Sequence, residues 1–146
     1  MKAVVQRVKD ASVSVEGSVC GAIASGLLVY LGVAQGDSEA DAEYLAEKIA
    51  FLRIFEDQDG KMNLSVSDKK GGILAISQFT LLADARKGRR PSYSDAAPPE
   101  TAKALYEYFM EKIRSLGLEC SAGVFQAHME VTYTNDGPVT ILLDSR

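Results

Sequence analysis

Residues 135–140, with the sequence Asn-Asp-Gly-Pro-Val-Thr, constrain the fold more than any other part of this 146-residue chain. Apolar and polar residues alternate on both sides of this stretch, which is the period of β-strands. Asp-Gly between two strands is typical of a tight hairpin turn. Proline after glycine gives a turn with no side chain at one residue and no N–H at the next, so bare carbonyls can project from it. We expect an ordinary hairpin turn, with a carbonyl-lined pocket element as the alternative.

Apolar periodicity predicts an α/β fold. Continuous apolar runs are typical of strands buried on both faces, and alternating runs are typical of strands with one wet face. Apolar residues at helical spacing follow a Ser38–Asp41 capping box and a Pro98-Pro99 start, which predicts two amphipathic helices. We therefore expect a layered mixed β-sheet core, made of a β-hairpin, two β-α units and C-terminal strands, with two helices on one side. In chain order the expected elements are a strand over 2–8, a hairpin over 12–15 and 19–23, a strand over 26–33, a helix over 39–54, a short strand over 61–64, a strand over 73–76, a loop over 83–97, a helix from 98 to 116 and strands on both sides of 135–140.

Length, composition and charge exclude several classes of protein. A chain of 146 residues, 47% of them hydrophobic, is expected to form one domain over 1–146 whose core needs no metal or disulfide. No apolar run approaches the ~20 residues that a membrane span needs. Cys20 and Cys120 lack CxxC spacing, which favours reduced thiols and a cytoplasmic location. The net charge of −4 argues against non-specific nucleic-acid binding, but not against a local basic patch.

Polar groups cluster where the second buried strand ends. Ser77, Gln78, Phe79 and Thr80 follow that strand, and ligands of α/β sheets bind beyond the carboxyl ends of strands. Their hydroxyls, amide and backbone N–H groups can hold a carbonyl oxygen as it becomes an oxyanion, or can simply satisfy local backbone groups. The only histidine, His128, falls on the polar face of the predicted 128–134 strand and is expected to be exposed. No general base is therefore evident for a hydroxyl nucleophile, and a multi-histidine metal site is excluded.

A basic loop is the other candidate binding feature. Arg86, Lys87, Arg89 and Arg90 place four cations within five residues of an otherwise acidic chain. Such a cluster is either a solvated loop or a docking point for a phosphate backbone.

The sequence resembles the D-aminoacyl-tRNA deacylases over essentially its whole length. Residues 77–80 (Ser-Gln-Phe-Thr) and 135–140 (Asn-Asp-Gly-Pro-Val-Thr) are similar to the two signature motifs of that family, in the same order and at a matching separation. Other similar segments are Gln6-Arg7-Val8, Ala11-Ser12-Val13, Gly26-Leu27-Leu28-Val29, Arg53-Ile54-Phe55, Lys61-Met62-Asn63-Leu64 and Arg90-Pro91-Ser92-Tyr93.

The resemblance implies an activity and an assembly. It implies a homodimer with active sites at the subunit interface, which hydrolyses the ester between a D-amino acid, or glycine, and the 3′-terminal adenosine of tRNA without a cofactor. It also implies that a cis Gly137-Pro138 bond of one subunit reaches into the other subunit's pocket. There its carbonyls would reject L-amino acids, while Arg7 and Asn135 support the turn.

The resemblance also implies roles for the remaining candidate residues. Residues 77–80 would line the reaction site. Thr80 is the candidate nucleophile, but because no base is evident nearby, we favour a water attack assisted by the substrate's ribose hydroxyl. Phe125 and Met129 would hold the terminal adenosine, although Gln126 and His128 depart from the family's usual Phe-Gly-Ala-Asp-Met. The basic residues Lys87, Arg89 and Arg90 would contact tRNA. The alternatives are a non-catalytic RNA- or nucleotide-binding dimer and a general hydrolase of small esters.

Overall fold

A strongly curved β-sheet forms the centre of the computed structural model, which describes residues 1–146. Five of the strands pair in the order β2-β1-β3-β6-β7. The sixth strand, β8, is not part of this order and pairs with β1. The elements are β1 (Lys2–Val15), β2 (Ser18–Ile23), β3 (Gly26–Gly32), α1 (Glu39–Phe51), β4 (Phe55–Glu56), β5 (Met62–Leu64), α2 (Val66–Lys69), β6 (Gly72–Ser77), a 3-10 helix (Phe79–Leu82), α3 (Pro99–Ser115), β7 (Cys120–Ala122) and β8 (Glu130–Asp144).

The sheet is mixed and nearly closed. Strand β1 runs antiparallel to β2, β3 and β8, whereas β3, β6 and β7 are parallel to one another. At the end of this order β7 approaches β2, and the Ser121 hydroxyl donates a 3.0 Å hydrogen bond to the carbonyl of Ala22. The two longer helices, α1 and α3, pack against one face of the sheet over a continuous apolar core. The expected α/β class, with two helices on one side of a mixed sheet, is confirmed.

The first strand is longer than expected. The sequence predicts separate strands over 2–8 and 12–15, but β1 continues without a break from Lys2 to Val15. One edge of β1 pairs first with β3 and then with β2, while β8 follows its other edge for almost the whole length. These long-range pairings keep the polar residues Lys9 and Asp10 in the strand.

The expected hairpin turn at residues 135–140 is wrong. Residues on both sides of it belong to one strand, β8, and pair with β1 in the same direction. Asn135 pairs with Val8 and Thr140 pairs with Gln6, so residues 136–139 stand opposite Arg7 alone. The stretch is therefore an outward bulge of an edge strand, and the chain does not reverse there.

The helices follow the predicted apolar spacing closely. Helix α1 begins at the expected capping box, where the Asp41 carboxylate accepts a 2.8 Å hydrogen bond from Ser38 N. It ends at Phe51, before the predicted residue 54, because Leu52 is extended (ψ 121°). Helix α3 has proline in its first turn, and Gly117 (φ +83°) follows its C-terminus as predicted. The short helices α2 and Phe79–Leu82 were not predicted, and no helix is long and apolar enough to cross a membrane.

Candidate functional site

A cavity of about 750 Å³ opens where the parallel strands β3 and β6 end. Leu31 of β3 pairs with Ser77 of β6 at this edge, and both residues line the cavity. The predicted location beyond the carboxyl ends of the buried strands is therefore where the cavity lies. The lining is mostly apolar and holds no carboxylate. It is formed by the strand ends with residues 77–79, by Tyr93 and residues 96–99 with Ala102 of α3, and by residues 125–129 with Val131.

The first predicted motif forms one wall of this cavity. Ser77 and Gln78 are half-buried, and the N–H of Gln78 donates a 2.8 Å hydrogen bond to the carbonyl of Leu31. Phe79 and Thr80 are exposed and are the first two residues of the short 3-10 helix. Their N–H groups therefore have no carbonyl acceptor within that helix. The Gln78 side-chain amide donates to the Thr80 hydroxyl. Thr80 itself does not line the cavity, whereas Ser77, Gln78 and Phe79 do.

Phe125 and Met129 line the same cavity, as the adenosine-binding prediction requires. The Phe125 ring packs 6.1 Å from the ring of Tyr106, which lies on α3. The Tyr106 hydroxyl donates a 2.8 Å hydrogen bond to the carbonyl of Ala75, and burial raises the pKa of this hydroxyl. Tyr106 thus ties α3 to β6 directly behind the aromatic wall.

Gln126 and His128, the two departures from the family pattern, also line the cavity. Gln126 has a φ of +63°, a left-handed conformation that glycine adopts without strain. His128 is exposed, as expected, but it precedes β8 and is not part of a strand. Both side chains are therefore at the surface of the cavity. The sequence pattern had assigned no substrate contact to either of them.

Sequence reasoning missed the third wall of the cavity. Tyr93, Ala96 and Ala97 lie in the predicted irregular loop and all line the cavity. The ring of Tyr93 meets that of Phe79 edge-on, with centroids 5.1 Å apart. The resemblance of residues 90–93 to the deacylase family was the only available signal.

The Gly137–Pro138 bulge does not line the cavity of its own chain. The bond between the two residues is cis, and both residues are exposed. Gly137 has a φ of +123°, and a Cβ atom there would lie 2.9 Å from Val139 Cγ2 and 3.1 Å from Arg7 Nη2. Only glycine fits this position without displacing a neighbour.

Arg7 and Asn135 hold the base of the bulge. Arg7 is 7% exposed, and its Nε atom lies 3.3 Å from the carbonyl oxygen and 3.2 Å from the carboxylate of Asp136. Its Nη1 atom donates a 2.6 Å hydrogen bond to the carbonyl of Ile54. The Asn135 amide donates to the carbonyls of Arg7 (3.0 Å) and Val139 (3.2 Å). The bulge is thus fixed at both ends while its tip faces outward.

The basic loop is exposed and does not line the cavity. Reciprocal backbone hydrogen bonds between Asp84 and Ser92, of 2.8 and 2.9 Å, close the loop. Arg86 forms an ion pair with Asp84 (2.7 Å), and this hydrogen-bonded guanidinium holds the pKa of Asp84 well below its ordinary value. The other three cations, Lys87, Arg89 and Arg90, are exposed and form no ion pair.

Comparisons with known proteins cover the whole chain. Residues 4–144 match the model of a protein family described as D-Tyr-tRNA(Tyr) deacylase. The D-aminoacyl-tRNA deacylase of Koribacter versatilis is 66% identical over 100% of this chain and 98% of its own length. That of Thermotoga petrophila is 59% identical over 99% of this chain and 97% of its own length.

Two solved structures share the fold. The c-Myc DNA Unwinding Element Binding Protein is 45% identical, with a TM-score of 0.93 over 100% of this chain and 99% of its own. A probable eukaryotic D-amino acid tRNA deacylase has a TM-score of 0.84 over 97% of both chains. At 14% identity, the second comparison concerns the fold alone.

Proposed function

The chain belongs to the D-Tyr-tRNA(Tyr) deacylase family of aminoacyl-tRNA hydrolases, and we propose that its residues 1–146 form one domain that hydrolyses D-aminoacyl-tRNA to free D-amino acid and tRNA. The observation that carries the proposal is the cavity at the carboxyl end of β6, which is lined both by residues 77–79 and by Phe125 and Met129. Both segments are those that the resemblance assigns to the reaction site and to the terminal adenosine.

The cavity suits a nucleoside that carries an amino acid. Its volume of about 750 Å³ lies within the range of small-molecule sites. Phe125, Phe79 and Tyr93 line the cavity, and aromatic side chains are groups on which a purine base can stack. Single-stranded 3′ ends are recognised in this way, because their bases are free to leave the helical stack.

The reaction is proposed to proceed without a protein base. Neither a carboxylate nor a lysine lines the cavity, and its one histidine, His128, belongs to the segment 125–129 that is assigned to the terminal adenosine. The Thr80 hydroxyl is hydrogen-bonded to the Gln78 amide and not to a base. A water molecule attacks the ester carbonyl carbon, and the vicinal ribose hydroxyl relays its proton. The bond from the acyl carbon to the ribose oxygen breaks, and that oxygen leaves with the proton as the tRNA hydroxyl. The N–H of Phe79, which lines the cavity, is proposed to stabilise the oxyanion that forms between these steps, with the N–H of Thr80 as the next donor along the chain at the cavity's edge.

Selection between D and L substrates is assigned to the bulge of a second copy of the chain. The exposed tip at Gly137 and Pro138 does not line its own chain's cavity, and β8 has no strand partner on its outer edge. Leu142, on the same edge strand, is 76% exposed, and an unpaired edge strand with exposed apolar residues is a template for pairing with another chain. We propose a homodimer in which this bulge enters the partner's cavity.

L-amino acids are proposed to be rejected by backbone carbonyl groups of the bulge and not by side chains. Carbonyl groups facing the substrate's α-carbon would collide with an L side chain, whereas a D side chain points away from them. Glycine is required at 137 because a Cβ there would itself enter occupied space. Glycyl-tRNA has no side chain to reject, so it is expected to be a substrate as well.

The basic loop is proposed to contact the tRNA backbone. Lys87, Arg89 and Arg90 form no ion pair, and they lie in the chain between Phe79 and Tyr93, two residues that line the cavity. Phosphate contacts of this kind orient the nucleic acid and add affinity that falls with salt.

The proposal is tested by following ester loss from matched D- and L-aminoacyl-tRNA. Rapid loss of the D ester is expected, with the L ester left intact. Equally slow loss of both esters would contradict the proposal that this chain is the enzyme. The alternative is a nucleic-acid-binding dimer without catalysis, and in its favour is the similarity to a protein named for DNA binding, the c-Myc DNA Unwinding Element Binding Protein. It predicts tRNA binding without any loss of ester. A general hydrolase of small esters would instead cleave aminoacyl esters that lack tRNA.

A further inference from the structure

We propose that Asp37 is a positioning residue for the substrate cavity, which it shapes from a distance through the turn after β3. The proposal rests on the proposed function, because the cavity wall in question is the one assigned to the aminoacyl-adenosine. Asp37 is not a lining residue of that cavity. Its carboxylate holds Ala34 N, and the turn around Ala34 is hydrogen-bonded to Ser94, Asp95 and Ala97 and forms a β-bridge with Ala96. Ala96 and Ala97 line the cavity.

Asp37 is a fully buried carboxylate at which three chain segments meet. Its side chain is 0% exposed, and its Oδ2 atom accepts a 2.6 Å hydrogen bond from Ala34 N and lies 2.9 Å from the Met1 ammonium. Its Oδ1 atom accepts a 2.7 Å hydrogen bond from Arg146 Nη2. A buried carboxylate is tolerated only when it is paired in this way, so removal of its charge should loosen all three segments.

The turn held by Asp37 carries the cavity wall. The N–H of Gln35 donates a 2.8 Å hydrogen bond to the carbonyl of Asp95, and the Gln35 side-chain amide donates to the carbonyl of Ser94 at 2.6 Å. The N–H of Ala97, two residues after Asp95, donates a 3.0 Å hydrogen bond to the carbonyl of Val33. The loop 93–97 has no regular secondary structure, so these bonds to the turn define its path.

Arg146 supports the same turn from the other side. Besides its bond to Asp37, its Nη2 atom donates a 2.9 Å hydrogen bond to the carbonyl of Gln35. Arg146 is half-exposed, so its replacement should loosen the turn without removing a buried charge. Replacement of Arg146 is therefore a second and milder way to loosen the same turn and the part of the cavity wall that it holds.

The test uses Asp37→Asn in the full chain, with Asp57→Asn as its matched control. Asp57 likewise accepts three hydrogen bonds, from Asp59 N, Lys61 N and the Asn63 amide, but it lies in the β4–β5 hairpin and outside the cavity. With D-aminoacyl-tRNA as the probe, Asp37→Asn should raise KM by about tenfold and leave kcat within about twofold, while Asp57→Asn changes neither. Amide hydrogen exchange should quicken at Gln35 and Ala97 in the first variant only.

The exchange measurement needs no substrate, so it separates this inference from the proposed function. If the wild-type protein proves inactive but Asp37→Asn still frees the Gln35 and Ala97 amides, the proposed function fails and the positioning of the wall stands. If Asp37→Asn does not fold, Arg146→Gln takes its place, with the same exchange pattern and a smaller rise in KM expected. Unchanged KM and unchanged exchange in the folded variant would overturn the inference, even if the melting temperature fell.

Discussion

Arg7 Nη1 donates a 2.6 Å hydrogen bond to the carbonyl oxygen of Ile54, a residue 47 positions further along the chain. The same guanidinium reaches Asp136 at the base of the bulge in β8. One buried cation thus joins the first strand, the end of the α1 segment and the bulge. This arrangement gives the exposed Gly137–Pro138 tip a rigid foundation, which a backbone filter needs.

Arg7→Lys tests that foundation. A lysine ammonium cannot reproduce the planar fork that contacts Ile54 and Asp136 together. Loss of hydrogen bonds at a buried site should lower the free energy of unfolding by about 1–3 kcal/mol. Urea unfolding measures this change, and ester loss from D- and L-aminoacyl-tRNA should show reduced discrimination. Wild-type stability together with wild-type discrimination would show that the fork is dispensable.

Thr80→Ala distinguishes the two chemical routes. The Thr80 hydroxyl has only the Gln78 amide as its hydrogen-bond partner and no adjacent base, so it is a poor nucleophile. Near-normal hydrolysis of D-aminoacyl-tRNA by the variant is expected if the substrate's ribose hydroxyl assists water. Single-turnover kinetics and mass spectrometry of the wild-type protein provide the measurement. Detection of an acyl group on Thr80 would overturn the water mechanism.

Gln126→Gly examines the departure from the family's glycine at this position. Because Gln126 has a φ of +63°, glycine should relieve strain and raise the free energy of unfolding by up to about 1 kcal/mol. Glu16→Gly is the matched control, since Glu16 also has a left-handed φ, of +50°, but lies outside the cavity. Both variants should be stabilised, and hydrolysis should be retained if adenosine is held by backbone contacts. A large rise in KM confined to Gln126→Gly would instead assign a contact to the glutamine side chain.

Asp41 predicts a pH dependence of stability. The Ser145 hydroxyl, 2.7 Å away, and the Ser38 capping bonds lower the pKa of Asp41 to about 2. Because the folded-state pKa is depressed, this contribution to stability is present above the ordinary value of 3.8 and is lost as the pH falls through about 2. Thermal unfolding of wild type and Asp41→Asn should therefore differ most above about pH 4 and converge towards pH 2. If the difference in melting temperature between the two proteins stays constant across this pH range, Asp41 is not the cause of the pH dependence.

Local patterns explain which parts of the fold were predictable. Both long helices follow from apolar spacing and from their capping residues, Ser38, Pro99 and Gly117, because these signals act within a few residues. The cavity's position follows from the polar residues after a buried strand. Helix α1 ends early for a non-local reason, since Ile54 and Phe55 are engaged by Arg7 and by β5.

Long-range pairing explains the errors. The expected break in β1 and the expected hairpin at residues 135–140 both disappear because β1 and β8 pair along almost their whole lengths. A pattern of turn residues cannot reveal that the strands on both sides of it share one partner. For the same reason Tyr93, Ala96 and Ala97 escaped prediction, since an irregular loop is placed by its bonds to the turn after β3.

Complementation between two inactive variants tests most directly whether the bulge of one subunit completes the cavity of another. Gly137→Ala alters the bulge, and Gln78→Ala alters the cavity wall, so each homodimer should lose hydrolysis of D-aminoacyl-tRNA. Co-expression in equal amounts should form heterodimers in which one cavity and one bulge are both intact, restoring about a quarter of the wild-type sites. Recovery of D-specific ester loss near that level is the predicted result. No recovery in a verified heterodimer would contradict the account, because bulge and cavity would then act within one chain.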